Sequence, residues 1–215
     1  PEAPSEAGSA LYVSIDGAYS GYILVADALK EDSAAALAAL KKMDICTVML
    51  TGDRKENAER TAKELSLDRF YSELLPEEKL QIAEELMAKK DKNSTLCFVG
   101  DGINDAPVLA GADVGIAMGA LGSDAAVEAA DVVLMNDRPS DVCKAIGICR
   151  KTMRIVKENI VFALAVKFGV MLLIGLTAVL PGLNILESYA GELAVFADVG
   201  VSVVAILNAT RALKS

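Results

Sequence analysis

In Val99-Gly100-Asp101-Gly102-Ile103-Asn104-Asp105-Ala106-Pro107, two carboxylates stand four residues apart, just past the apolar run Leu96 to Val99. A strand ending this way presents hard oxygen ligands at its carboxyl end. Magnesium takes a few carboxylate oxygens and completes its shell with waters and a phosphate oxygen, a share that Asp101 and Asp105 fit. Gly100 and Gly102 let the backbone turn tightly beside such an ion. The competing reading is a glycine-rich turn with two solvated aspartates.

Two further segments bear on the choice. Thr47-Val48-Met49-Leu50-Thr51-Gly52-Asp53 again ends an apolar run in a hydroxyl, a glycine and an acid, and Leu75-Pro76-Glu77-Glu78-Lys79 brings a lysine. Together, in this order, the three segments resemble motifs of the P-type ATPases, ion pumps of the haloacid-dehalogenase superfamily, the first being their hinge motif. The resemblance implies that Asp101 ligates magnesium with Asp105 in support. It implies too that Thr51, Gly52 and Lys79 hold the transferred phosphoryl group, that Asp53 shapes their loop, and that Asn104 orients the hinge loop or a phosphate oxygen. The chemistry is consistent, because phosphoryl transfer asks a protein mainly for positioning and charge stabilisation.

These residues need a scaffold. Ser33 to Lys42, Arg54 to Leu65 and Pro76 to Lys89 read as helices, the last with proline in its first turn. Ile45 to Leu50, Leu96 to Val99, Val114 to Met118 and Asp131 to Leu134 read as short strands, with a short helix over Ala106 to Ala110. Alternating strands and helices predict an α/β fold, a parallel sheet with ligands at the carboxyl ends of its strands. Asp113, in a stretch that also looks like the family's sequence, is read as structural support rather than as a metal ligand.

The family's nucleophile, an aspartate in Asp-Lys-Thr-Gly-Thr, has no counterpart here. Ser14-Ile15-Asp16-Gly17 is the one early substitute. The alternation of Leu11, Val13 and Ile15, then Tyr22 and Leu24, reads more simply as a hairpin with an Asp-Gly turn. With Pro1 at its start, the chain is expected to be the C-terminal portion of a longer pump, with the upstream part of the same polypeptide as its partner. The resemblance assigns residues 1–26 to the end of the nucleotide-binding domain. Residues 27–148 become the phosphorylation domain, a haloacid-dehalogenase-like Rossmannoid sheet, and 149–215 a membrane domain. Asp27 would stand where the first gives way to the second, or it caps an ordinary surface helix.

Composition splits as sharply. The net charge of −9 over 215 residues gives no support to nucleic-acid binding. Acids crowd the chain up to about Arg154, whereas Ile160 onward is almost uncharged. Ile160 to Leu180, about twenty-one residues with one charge, suffices to cross a hydrocarbon core at about 1.5 Å per residue. A second run near Leu193 to Leu207 reaches spanning length with its flanks. Spans of about 159–180 and 190–210 make a two-helix transmembrane hairpin in the lipid bilayer. Arg150, Lys151, Arg154 and Lys157 precede the first span and Arg211 and Lys214 follow the second, while the loop carries Glu187 and Glu192. This bias puts residues 1–157 and the C-terminus in the cytoplasm, with the loop outside; a multi-pass protein of the plasma membrane is expected.

Lys167 and Asp198 interrupt the spans. Ionisable groups there cost several kcal/mol and read as functional by default. Asp198 suits a divalent cation as an oxygen ligand, and Lys167 suits the empty site as counter-charge; a static ion pair is the alternative. Span boundaries put Lys167 nearer the cytoplasmic face, so direct pairing needs a tilt, an offset or a long lysine reach. A lysine and an Ala-Asp-x-Gly motif at these positions resemble the zinc, cadmium and lead pumps among the heavy-metal P-type ATPases. The copper-type signature, Asn after Tyr and Met with Ser, is not found. Glu192 stands where the subgroup often has Trp, leaving the choice among zinc, cadmium, lead and cobalt open.

The Cys-Pro-Cys of the subgroup is not in this chain. Cys46 and Cys97 are expected as buried apolar fillers, and Cys143 and Cys149 are poorly spaced for zinc. The resemblance implies ATP-driven export of a divalent heavy metal, Zn2+, Cd2+ or Pb2+, through an aspartyl-phosphate cycle with Mg2+ and ATP. Two rivals are a membrane-tethered phosphatase, which would need its own nucleophile motif, and a non-catalytic partner or regulator of a pump.

Overall fold

The alternation at the start closes, in the computed structural model, into an antiparallel hairpin of β1 (Ser9–Ile15) and β2 (Ala18–Val25). Asp16 and Gly17 join the strands, both at positive φ, 50° and 79°, as a two-residue primed turn requires. Asp16 is thus a turn residue. The structure describes residues 9–25, 28–100, 103–119, 124–177 and 189–213. Asp27, Asp101 and Gly102 lie outside these. Tyr12 sits opposite Tyr22, ring centroids 6.3 Å apart, with Tyr19 at 6.2 Å.

The chain then alternates as expected. In order come α1 (Ser33–Lys42), β3 (Val48–Leu50), α2 (Lys55–Glu64), β4 (Arg69–Tyr71) and α3 (Pro76–Lys89). After them run β5 (Cys97–Gly100), α4 (Ala106–Gly111), β6 (Val114–Met118), α5 (Asp124–Ala129) and β7 (Val132–Leu134). β3 pairs with β4, and β5 with β6 and β7, all parallel. Among the described residues these are two hydrogen-bonded sheets rather than one. Two elements had no clear sequence signal. β4 is three residues long, too short for alternation, and α5 is an alanine-rich turn and a half. Helix ends differ from expectation by a residue or so, the ordinary fraying of terminal turns.

Alanines at i, i+4 spacing, Ala58 and Ala62, seat α2, while Ala36 and Ala83 seat α1 and α3. α3 begins at Pro76, and the Leu75 N–H donates to the Glu78 carboxylate at 2.7 Å, satisfying an amide that precedes the first turn. Leu109, Ala117 and Ala126 form the core under Phe98 and Val133, so α4 packs on the sheet directly after Asp105.

One device recurs at the leading edges of the strands. Asp68, just before β4, accepts from the Thr47 N–H at 2.7 Å, just before β3. Asp113, before β6, accepts from the Leu96 N–H at 2.7 Å, before β5, and pairs with Lys90. Asp131, before β7, accepts from the Gly115 N–H in β6 at 2.9 Å. Each aspartate pins the neighbouring parallel strand and fixes register. Asp113 is therefore the structural support it was expected to be.

The chain divides into two units, Pro1–Cys143 and Lys144–Ser215. α6 (Pro139–Thr177) is one helix of 39 residues, whose first turn is held where the Ser140 N–H donates to Asp32 at 3.0 Å. Ala190 opens α7 (Ala190–Val195), a π turn follows at Phe196–Gly200, and α8 (Val201–Ala209) ends in a short 3-10 turn, Thr210–Leu213. Pro139–Leu176 and Ala190–Leu213 are long and apolar enough to cross a membrane. In α6 Ile155 is buried and Asn159, Ala163 and Val166 are half-buried, and in the second stretch Ala197 and Val201 are buried and Ala205 and Asn208 half-buried. Both series step by three and four, the spacing of helices packed along a seam.

Candidate functional site

Three segments expected to share one chemistry are linked by hydrogen bonds. At the end of β3 the Thr51 N–H donates to the Tyr71 carbonyl at 3.0 Å, and the Thr51 Oγ1 accepts from the Asp53 N–H at 3.1 Å. The hydroxyl thereby shapes a tight turn through Gly52. That turn is stitched to the entry of α3: the Glu73 N–H donates to the Asp53 carbonyl at 2.9 Å and the Leu74 N–H to the Thr51 carbonyl at 3.1 Å. One turn into α3, Lys79 Nζ reaches Asp105 Oδ1 at 2.9 Å. Their side chains keep only 21% and 14% of their surface exposed.

Asp105 closes a 3-10 turn, Ile103–Asp105, that leads into α4. Its carboxylate folds back over the end of β5. A Cβ on Gly100 would lie 3.0 Å from the Asp105 Cβ and 3.2 Å from its Oδ2, so the glycine makes the space the carboxylate occupies. Asn104 is exposed on the same turn, and Gly52 and Asp53 are exposed on theirs. The structure thus brings Thr51, Gly52, Asp53, Lys79, Asn104 and Asp105 to the carboxyl ends of β3 and β5. Asp101 is outside the described residues. Glu73 and Leu74, which tie the two loops together by backbone groups alone, carried no sequence signal.

The second site lies in the apolar unit. Lys167 Nζ and Asp198 Oδ1 are 2.7 Å apart, linking α6 to the π turn. The tilt, offset or long reach that pairing required is supplied, because Lys167 adjoins the half-buried Val166 and Asp198 the buried Ala197, and the two meet at the flank of the seam. Ser202 donates its hydroxyl to the Asp198 backbone carbonyl at 2.7 Å.

The cysteines depart from expectation. Cys46 and Cys97 keep exposed surface, because among the described residues β3 pairs with β4 alone and β5 with β6 alone. Partial burial of the Cys97 thiol, with the Asp131 carboxylate nearby, still raises its pKa. Cys143 donates to the Ala36 carbonyl at 3.3 Å, and all four cysteines are free thiols.

The description "haloacid dehalogenase-like hydrolase" matches residues 2–113, and comparisons extend the similarity beyond them. A zinc-transporting ATPase of Synechocystis is 54% identical over 209 residues, 97% of this chain and 28% of the relative. A cadmium, zinc and cobalt-transporting ATPase of Bacillus subtilis is 48% identical over 215 residues, 99% of this chain and 29% of the relative. The crystal structure of a zinc-transporting PIB-type ATPase in its E2.Pi state superposes with a TM-score of 0.78 at 35% identity, covering 95% of this chain and 31% of that one. The chain spans less than a third of the length of these relatives. It belongs to the haloacid dehalogenase-like hydrolases, and over nearly all its length it is similar to zinc- and cadmium-transporting P-type ATPases.

Proposed function

We propose that this chain is part of an ATP-driven exporter of a divalent heavy metal, zinc, cadmium or lead, working through an aspartyl-phosphate cycle whose nucleophile lies elsewhere in the polypeptide. The reading is carried by the Lys167–Asp198 pair, 2.7 Å apart on two helices apolar enough to cross a membrane. Charges are expensive at such positions and are kept where an ion path needs them. Asp198 offers a carboxylate oxygen to the cation. Lys167 competes for that oxygen, so the pair lowers the cost of the empty site and favours release.

The cytoplasmic part supplies the driving chemistry. Thr51, Gly52 and Lys79 would hold the phosphoryl group, Asp53 shaping the turn and Asn104 orienting the facing loop. The donor set suits magnesium: Asp105 is a hard carboxylate in a space that a Gly100 Cβ would fill. Asp101 would be the principal ligand and Asp105 its support. When bound, the ion would neutralise phosphoryl oxygens. Asp105 also holds the Lys79 ammonium, which would serve the same oxygens.

In this reading residues 1–26 end the nucleotide-binding domain, 27–148 form the phosphorylation domain and 149–215 the membrane domain. Residues 1–157 and the C-terminus face the cytoplasm and the loop between the two spans faces outward, in a plasma membrane. ATP, the bilayer, the metal ion and the upstream polypeptide are the partners. The test uses the full-length pump in liposomes. Asp198→Ala should remove zinc-stimulated ATP hydrolysis while leaving phosphorylation by inorganic phosphate. Persisting zinc stimulation overturns the assignment.

A further inference from the structure

A chain of side-chain hydrogen bonds ties α6 to α8 at the far end of the seam from Ala190. Arg211 Nη1 donates to Glu158 Oε2 at 3.1 Å and to Asn208 Oδ1 at 2.8 Å. Asn208 Nδ2 donates to Asn159 Oδ1 at 2.8 Å, and Asn159 Nδ2 to the Ala205 backbone carbonyl at 3.1 Å. Asn159 thus uses a donor and an acceptor across the interface, while Asn208 donates across it and accepts from Arg211 on its own side. They are half-buried and occupy the seam itself, while Arg211 and Glu158 are exposed at its end.

We propose that Asn159, Asn208, Arg211 and Glu158 form a positioning network that fixes the register of the two helices, so that Lys167 meets Asp198. The proposal rests on the reading of that pair as the site of the transported ion. Elsewhere the seam is Ala, Val and Ile, which pack almost as well after a slip. Lipid supplies no hydrophobic drive to prefer one alignment. Directional amides do prefer one, as a lone buried asparagine sets register in a coiled coil.

Register arithmetic shows what the network must hold. Lys167 is eight residues from Asn159, and Asp198 is ten from Asn208. At about 1.5 Å per residue the two arms would be about 12 and 15 Å long, a mismatch of about 3 Å. The π turn at Phe196–Gly200 takes up part of it by packing its residues at a smaller rise. The flexible lysine stem takes up the rest. A slip by one turn, about 5.4 Å, would separate the pair. Register and pairing are thus one variable.

The experiment measures zinc-stimulated ATP hydrolysis of the full-length pump in liposomes, with Asn208→Leu as the variant. A loosened register frees Asp198 from its competitor. Both KM for zinc and kcat should then fall, by about threefold to twentyfold, the range that lost interhelical hydrogen bonds give in membranes. Lys167→Ala should move KM in the same direction. A merely structural role would lower kcat in proportion to the pump lost and leave KM alone. An unchanged or raised KM overturns the proposal. Should Asn208→Leu not assemble, Asn159→Leu with Asn208→Leu, which leaves no amide unpaired, and the exposed Arg211→Gln put the same question. Asp198→Ala separates the two ideas. If it abolishes zinc stimulation while Asn208→Leu leaves KM unchanged, only the network fails; if it keeps zinc stimulation, the site reading fails and the network with it.

Discussion

Lys79 and Asp105 lie 26 residues apart in sequence and 2.9 Å apart in space, and their contact joins the entry of α3 to the turn after β5. Neither segment could place its charge alone. The lysine spans from one loop to the other, so what binds between them must exchange with an ion pair already made. Lys79→Met should cost the chain about 1–2 kcal/mol, since it leaves a partly buried carboxylate without its cation. Thermal unfolding in detergent checks the stability, and loss of phosphate-driven phosphorylation in the full-length pump checks the role.

Gly100→Ala should act on Asp105 without touching its chemistry. The new Cβ would press on the aspartate Cβ and Oδ2, and on the Phe98 ring at 3.0 Å. The carboxylate would have to swing off β5. The expected outcome in the full-length pump is a higher magnesium requirement for ATP hydrolysis, with zinc affinity unchanged. An unaltered magnesium dependence would contradict the placement of Asp105.

The strand-leading aspartates predict acid sensitivity. The Lys90 ammonium and then the Leu96 N–H hold the Asp113 carboxyl below its ordinary value of 3.8, and the Thr47 N–H and hydroxyl do the same for Asp68. A carboxyl lowered in the folded state adds stability that is fully present above its ordinary value and drains away as pH falls through the lowered one. Asp113→Asn should therefore unfold at lower temperature than the parent at pH 7. The difference should begin to narrow near about pH 4 and close only as the pH passes below the lowered value. Parallel melting curves that keep their separation at acid pH would contradict this.

Gly200→Ala should disturb the π turn. Its Cβ would come within 2.9 Å of the Phe196 ring, one turn back. The ring must move, or the turn must tighten to an ordinary helix. We expect impaired zinc stimulation in the full-length pump and recovery when Phe196→Leu is added, because the smaller side chain gives back the space. A double variant no better than the single would place the fault elsewhere.

Much of this architecture was legible because its signals are local. Asp16-Gly17 between alternating strands can hardly be anything but a turn, and the apolar stretches after Ile160 are too long for a small core. The residues proposed to hold the phosphoryl group stood out through the family resemblance of their segments, Thr51 and Asp105 following the ends of β3 and β5 and Lys79 lying in the first turn of α3. Less legible was whatever depends on a partner distant in sequence. β4 exists because β3 offers it an edge and Asp68 pins it there; Arg69-Phe70-Tyr71 alone says little. Cys46 and Cys97 look like core residues by type, yet exposure is decided by which strands lie alongside. The Asn159–Asn208 bond is equally silent, since each asparagine taken singly is only a polar residue at the edge of an apolar stretch.

Asp68, Asp113 and Asp131 all stand where strands begin, whereas Thr51, Asp53 and Asp105 stand where strands finish. The sheets therefore have a fastened margin and a working margin. Acidic groups on the first are spent on backbone amides and ammonium, and their charge goes into holding alignment. On the second, where the strands stop, Asp105 holds a lysine rather than a neighbouring strand's amide. Such a division lets one margin change its loops and ligands while the opposite margin keeps the strands in step.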